Sequence, residues 1–255
     1  MRLLASSLAG TVALVVLLTA APPGQATVDE GPGVHVSSLP SQKVPPPSRA
    51  VGTFTARILE PTAIRRRPDG DSVRWLARTK TKWSGSIQKL MVLGSRLVGG
   101  KFWLRVRLPI RPNDASGWIP RDRVVLARSD AFILIDRSRR KLYMYRKGRL
   151  VRRWSVVVGT PSTPTPIGLF ALYDRVPQAD PNGFIGPWAV PLTAHSNALR
   201  RYDGGPGLVA LHGRAGASLL DPLGTASSHG CIRMNNNRVR YIIRRSMGTA
   251  VKIRR

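Results

Sequence analysis

The sequence contains little cysteine and little acidic charge, and both shortages restrict what the protein can be. Cys231 is the only cysteine among 255 residues, so no disulfide can form within the chain. Stabilisation of the fold by an internal disulfide is therefore excluded as the purpose of Cys231. Asp and Glu number 13 against 41 Lys and Arg, which gives a formal net charge of +28. This charge favours anionic partners, or reflects a compositional bias towards Arg. The basic residues are spread along the chain, which argues against a dedicated nucleic-acid arm.

Long apolar runs are also scarce, and the N-terminal one lies at residues 3–21, directly behind Arg2. Pro22 and Pro23 break any helix there, and small residues follow, so we expect a secretory signal peptide over residues 1–26. The run is long enough to span a bilayer, and an uncleaved N-terminal anchor is the alternative. Either way the sequence predicts an exported protein of the cell wall. Its charge then predicts anionic wall polymers or an acidic membrane surface as partners, and not nucleic acid.

Composition divides the rest of the chain into three parts. Residues 27–52 are rich in Pro and Gly and bury too little apolar surface to offset ordering entropy, so they are predicted to be a spacer. Residues 53–128 show short strands separated by turns, and residues 129–255 form the second predicted domain.

The segment 53–128 carries one clear strand signal. Apolar residues occupy every second position here, which is the pattern of a half-buried strand. They are Phe102, Leu104, Val106 and Leu108, and the residues between them are Trp103, Arg105 and Arg107. The sequence GKFWLRVRLP, with GWIPRDRVVL after it, resembles bacterial SH3-like modules, small β-barrels that often hold enzymes on peptidoglycan. Trp103 and Trp118 either pack inside such a barrel or form exposed ligand platforms.

Three strands are expected at the start of the second domain, over residues 131–136, 141–146 and 150–158. Residues 171–207 are rich in Gly, Pro, Asn and Asp, which predicts a long excursion over the functional site. Near the C-terminus, Asn235–Asn237 can cap a helix that Gly248 ends. Its apolar stripe would be buried: Val239, Ile242, Ile243 and Met247.

The residues with chemical potential cluster in LHGRAGASLLDPLGTASSHGCIRM, residues 211–234. His229 lies two residues before Cys231 and His212 lies nineteen before it, which suggests a nucleophile, a base and a helper brought together by folding. Gly213 and Gly230 each follow a histidine and allow the backbone to approach a substrate closely. The chemical rival is a zinc site made of the two histidines and the cysteine. Such a site would lack a carboxylate or a second cysteine. His229 and Cys231 are also separated by only one residue, a spacing that is rare in structural zinc sites.

The motif His212-Gly213, followed after fifteen residues by SHGCIR, resembles the signature of the L,D-transpeptidases, whose catalytic domain is of the YkuD type. The resemblance covers roughly residues 130–255 and includes Gly159 and the turn Thr165–Gly168. It implies a mainly β protein, an SH3-like small barrel followed by a YkuD-type β-sandwich with a short C-terminal helix.

The resemblance also implies a reaction. The cysteine attacks an amide carbonyl of a peptidoglycan stem peptide, forms a thioester and passes the acyl group to an amine, which gives 3→3 cross-links without a cofactor or a metal. Water as acceptor would make the protein an L,D-carboxypeptidase. A peptidoglycan-binding protein without turnover is the alternative from another class.

The resemblance assigns catalytic roles residue by residue. Cys231 is the nucleophile, His212 is the base, and the carbonyl of Gly213 orients the imidazole. His229 organises the site or stabilises substrate. Backbone N–H groups of Gly230 and Cys231 are the expected oxyanion donors.

Three further residues are assigned more loosely. Arg233 either clamps a stem-peptide carboxylate or forms a local ion pair. Ser228 is placed with the substrate-binding residues, although a local hydrogen bond that holds the loop is its expected contact. His195 is expected to be an ordinary surface residue.

Overall fold

The structure is a computed structural model that describes residues 43–202 and 204–255. The expected signal peptide, residues 1–26, and most of the expected spacer lie outside the described residues. Within the described residues the protein is mainly β, as the sequence predicts, with a single α-helix near the C-terminus. No helix in this part of the chain is long and apolar enough to cross a membrane.

The first sheet contains seven strands in the order β3-β2-β6-β5-β4-β1-β7. Their bounds are β1 Thr53–Ile58, β2 Thr62–Arg65, β3 Val73–Ala77, β4 Lys89–Val98, β5 Lys101–Arg107, β6 Ser116–Pro120 and β7 Val124–Ser129. Strands β3 and β7 lie at opposite ends of this order, so the sheet is not closed. The SH3-like barrel is therefore not established by the sheet.

Strand β5 follows the expected alternation only in part, because Trp103 and Arg107 are buried as well. Leu104 and Val106 are buried in the core of this sheet, while Arg105 is exposed. Trp103 is only 4 % exposed, so its indole packs inside. Trp118 is partly exposed, and the guanidinium of Arg96 lies over its ring at 5.5 Å from the centroid.

The second half of the chain contains a five-stranded sheet in the order β10-β9-β8-β18-β12. Its strands are β8 Ala131–Asp136, β9 Lys141–Arg146, β10 Arg149–Ser155, β12 Gly168–Ala171 and β18 Ala250–Arg254. The first two have the predicted bounds. The third ends earlier than expected, because residues 158–159 form a separate strand, β11 Val158–Gly159, that pairs with β16 Ala226–Ser228.

A four-stranded sheet, β13-β14-β15-β17, carries the candidate functional residues. Its strands are β13 Val176–Pro177, β14 Trp188–His195, β15 Leu208–His212 and β17 Ile232–Arg233. The prediction of one long excursion over residues 171–207 is wrong for β14, in which Val190, Leu192 and Ala194 are completely buried. They belong to the core that this sheet shares with the five-stranded sheet.

The helix α1 Asn236–Ile243 packs on that core through Val239 and Ile242, which are fully buried. It ends at Ile243, earlier than predicted, and Gly248 lies in the turn that leads into β18. Gly248 has φ +87°, a backbone conformation that favours glycine.

The two halves of the chain share buried contacts. The hydroxyl of Thr53 on β1 donates to the carbonyl of Ala131, at 3.1 Å, and accepts from the N–H of Ala250, at 3.0 Å. Met91 on β4 is completely buried in one cluster with Phe132 and Ala250. The second half of the chain is therefore supported by side chains of the first sheet.

Candidate active site

Parallel pairing of β15 with β17 brings the two parts of the sequence motif together. In this register His212 lies opposite Arg233. Cys231 immediately precedes β17, two residues before Arg233, and side chains alternate along a strand. The thiol, the guanidinium and the imidazole therefore lie on the same face of this strand pair.

The imidazole of His212 is held by the backbone of the next residue, Gly213. Its Nδ1 lies 2.8 Å from the carbonyl oxygen of Gly213, so Nδ1 carries the proton and donates, because a carbonyl only accepts. The imidazole is 5 % exposed. Burial, together with the charge of Arg233, lowers the pKa of His212 to about 4, although backbone hydrogen bonds with Gly213 and Ile185 oppose the shift. The ring is neutral at neutral pH, and a neutral ring can accept a proton.

Cys231 is a free cysteine that is partly exposed as a whole residue. Burial raises its pKa above the ordinary value, while a hydrogen bond from the Ala210 backbone and the charge of Arg233 lower it by less. The resting pair is therefore a thiol beside a neutral imidazole, and not a thiolate beside an imidazolium. Such a pair needs a base to take the thiol proton during attack.

Hydrogen bonds fix the loop before the cysteine. Ser228 is completely buried, and its hydroxyl donates to the Cys231 carbonyl at 2.6 Å and accepts from the Gly230 N–H at 3.1 Å. The Thr165 hydroxyl donates to the Gly230 carbonyl at 2.9 Å and accepts from the Gly159 N–H at 2.9 Å. Ser228 therefore holds the loop, and its hydroxyl is not available to a substrate.

The same contacts bear on the expected oxyanion donors. Because the Gly230 N–H donates to Ser228, it is already used in this conformation. The N–H of Cys231 is the remaining one of the two expected donors. Gly230 has φ +118°, which only glycine adopts readily, and this conformation sets the direction of the following N–H.

Arg233 is 4 % exposed and forms an ion pair with the carboxylate of Asp221. Its guanidinium also lies over the ring of Phe184, at 4.6 Å from the centroid. Of the two interpretations left open by the sequence, the local ion pair is present. A stem-peptide carboxylate would have to compete with Asp221 for this guanidinium.

His229 is exposed, unlike His212. Its ring lies against the ring of Tyr202, with centroids 5.5 Å apart. Tyr202 belongs to the connection between β14 and β15, so this connection contacts the motif loop. The sequence offered no signal for this pair, because tyrosine and histidine are far apart along the chain.

Two residues differ from or add to the sequence prediction. His195 is 4 % exposed, so the expectation that it lies on the surface is wrong. It ends the buried strand β14, and burial and the charge of Arg111 lower its pKa to about 4.

Asn236, expected only as part of a helix cap, accepts at Oδ1 from the Arg214 N–H at 2.7 Å. A Cβ on Gly213 would collide with this oxygen, so Asn236 fixes the backbone that carries the Gly213 carbonyl.

Within residues 43–202 and 204–255, no group of three His, Cys, Asp or Glu side chains is placed to hold a metal ion.

Comparison with known proteins finds a family match over the second half of the chain. Residues 130–253 match the family model described as the L,D-transpeptidase catalytic domain, YkuD. This segment is thus similar to L,D-transpeptidase catalytic domains. A Bacillus licheniformis protein that carries the name "Putative L,D-transpeptidase YkuD" is 32 % identical over 107 residues, which are 42 % of this chain and 54 % of that protein. The chain thus spans about half the length of this curated relative.

Two solved structures are also similar. An L,D-transpeptidase from Mycobacterium smegmatis is 16 % identical over 84 % of this chain and 98 % of its own, with a TM-score of 0.40. An L,D-transpeptidase from Mycobacterium tuberculosis H37Rv is 12 % identical over 82 % of this chain and 100 % of its own, with a TM-score of 0.41.

Proposed function

We propose that this protein is an exported cysteine L,D-transpeptidase that joins peptidoglycan stem peptides by 3→3 cross-links. The observation that carries the proposal is the placement of the lone thiol, Cys231, on the face that holds His212, whose Nδ1 is fixed on the Gly213 carbonyl. A neutral imidazole held by one nitrogen presents the other as a base.

In the first half-reaction the Nε2 of His212 takes the proton of Cys231 as the sulfur attacks the carbonyl before the terminal D-residue of a tetrapeptide stem. The N–H of Cys231 donates to the oxyanion that forms. The C–N bond then breaks, and the imidazolium returns its proton to the leaving amine. A thioester remains on the sulfur.

In the second half-reaction an amine of a neighbouring stem attacks the thioester carbonyl and loses a proton to His212. The C–S bond breaks and the thiol recovers its proton. The exposed ring of His229, packed on Tyr202, keeps the motif loop in place through both steps.

The remaining assignments form part of the same proposal. The signal peptide, or an anchor, would direct the chain to the cell wall, and the first sheet would act as an SH3-like module that holds the enzyme on peptidoglycan. The domain boundary would fall near residues 128–129. The net charge of +28 supports an anionic surrounding such as wall polymers or acidic lipid headgroups.

Incubation of the purified chain with a disaccharide tetrapeptide, followed by mass spectrometry of the products, tests this function. A dimer that has lost one terminal D-residue supports transpeptidation. A tripeptide and a free D-residue without dimer would establish the L,D-carboxypeptidase instead, and an unchanged substrate would favour the peptidoglycan-binding protein without turnover.

A further inference from the structure

A large cavity lies away from Cys231, between the first sheet and the catalytic half. Its volume is about 1130 Å³, enough for several sugar or amino-acid units, since pockets for drug-sized ligands measure roughly 300–1,000 Å³. We refer to it as the basic cavity because its lining includes six cationic side chains: Arg78, Lys80, Lys82, Arg111, Arg200 and Arg201. No Asp or Glu lines it among the described residues. Its charge selects an anionic ligand.

Aromatic rings form a second part of the lining. Trp75, Trp83 and Tyr173 all face the basic cavity, and Trp83 is 41 % exposed. Trp83 packs edge-on against Tyr173, with ring centroids 5.8 Å apart, which fixes its orientation. An indole offers a broad apolar face with a polar edge, a surface on which the C–H face of a sugar ring can stack.

A buried polar atom points to a ligand independently of charge. His195 lines the basic cavity, is 4 % exposed, and its Nδ1 has no hydrogen-bond partner among the described residues. Its backbone is held by the side chain of Asn113, which donates to the His195 carbonyl at 2.8 Å and accepts from its N–H at 2.7 Å. A buried ring nitrogen without a partner is costly unless something binds it. A ligand hydroxyl would satisfy it.

The basic cavity is connected to the active site by the chain itself. Leu208, which lines it, begins β15, and His212 ends β15. Four residues at about 3.3 Å each place the two ends about 13 Å apart. Arg200 and Arg201 directly precede Tyr202, whose ring packs on His229. One extended ligand can therefore reach from the basic cavity to Cys231.

We propose that the basic cavity binds an acidic glycopeptide strand of peptidoglycan, with sugar rings on Trp75 and Trp83 and stem carboxylates on Arg200 and Arg201. The proposal rests on the proposed function, because it names where the substrate polymer lies beyond the reacting stem. Binding in the basic cavity would keep the stem peptide near Cys231, so that its amide carbonyl meets the thiol repeatedly before the strand dissociates.

Binding of soluble, uncross-linked glycan strands that carry tetrapeptide stems tests the proposal. It is measured by calorimetry with the full chain carrying Cys231→Ala, which prevents turnover. In this background one variant combines Arg200→Gln with Arg201→Gln, and a second carries Trp83→Leu. The matched control combines Arg66→Gln with Arg67→Gln, which removes the same charge from two exposed arginines outside the basic cavity. The replaced arginine and tryptophan side chains are exposed, and circular dichroism checks that each variant is folded.

We expect the affinity for strands to fall at least tenfold in the Arg200/Arg201 variant and in the Trp83 variant, and to change less than twofold in the control. Equal losses in the Arg200/Arg201 variant and the control would overturn the proposal, because net charge alone would then account for binding. An unchanged affinity in the Trp83 variant, with sugar-free polyphosphate bound as tightly as the strands, would identify a phosphate-polymer site instead. Because these measurements need no turnover, failure of the wild-type chain to form a thioester would count against the proposed function and not against this site.

Discussion

The Nδ1 of His212 lies 2.8 Å from the carbonyl oxygen of Gly213, the next residue in the chain. A backbone carbonyl thus orients the imidazole where other thiol enzymes use a side-chain amide or carboxylate. Asn236 fixes this backbone by accepting from the Arg214 N–H. The base therefore gains orientation without a negative charge beside it, which agrees with its lowered pKa.

His212 and His229 should be separable by their pH profiles. His212→Ala should slow acylation at neutral pH and recover in part as the pH rises through the raised pKa of Cys231, because the thiolate then forms without a base. His229→Ala should slow acylation at every pH, because the loss of its contact with Tyr202 disturbs the loop and not thiol ionisation. The measurement is the rate of acylation against pH for both variants. Alkaline recovery in the His229 variant alone would reverse the two roles.

Arg233 should make the thiol of Cys231 easier to ionise. Its charge lowers the pKa of Cys231, so Arg233→Gln should move the midpoint of iodoacetamide alkylation against pH upwards. The variant also leaves Asp221 without its ion pair, which should lower the free energy of unfolding by about 2 kcal/mol. Asp221→Asn is the matched control, since it breaks the same pair but retains the cation, and its midpoint should not rise. A midpoint in Arg233→Gln equal to that of the wild type would contradict this role.

The fold and the site were not equally predictable from the sequence. The thiol motif and strands β8 and β9 could be predicted because motif spacing and period-two alternation are local signals. Strand β14 could not: Pro191 interrupts WAVPLTAH, and proline normally excludes a central strand. In the structure the pairing of β14 with β15 is irregular just after Pro191. The carbonyl of Pro191 accepts a hydrogen bond from the N–H of Tyr173, at 2.8 Å. The error on β14 also produced the error on His195, whose burial depends on that strand.

His195 should make stability depend on pH. Its pKa is about 4 in the folded chain against an ordinary value of 6.5 for histidine, so the unfolded chain binds the proton more tightly. The stability present above pH about 6.5 is therefore lost as the pH falls towards 4, by about 3 kcal/mol for this histidine. His195→Gln should flatten the decline in urea unfolding free energy between pH 6.5 and 4.5. The exposed His229→Gln serves as control and should retain the wild-type slope; equal slopes in all three proteins would contradict the assignment.

Thr53 should be a stabilising link between the two halves of the chain. Thr53→Val removes a hydroxyl that bonds the backbone of both Ala131 and Ala250 in a fully buried position. Leaving these groups unpaired should cost about 2 kcal/mol of unfolding free energy. Thr62→Val is the matched control, because its hydroxyl makes only an exposed local bond to Glu60, and should change stability by less than about 0.5 kcal/mol. Similar urea midpoints for the two variants would show that the link contributes nothing.

Covalent acylation of Cys231 tests the central claim most directly. The wild-type chain and Cys231→Ala are each incubated with a disaccharide tetrapeptide and, separately, with a carbapenem, which the family resemblance predicts as a thiol-reactive ligand. Intact-mass spectrometry should show one added acyl group on the wild type and none on the variant, whose circular dichroism should match the wild type. An adduct of the same mass on Cys231→Ala, or release of the terminal D-residue by that variant at a rate near the wild type, would contradict the assignment of Cys231 as the nucleophile.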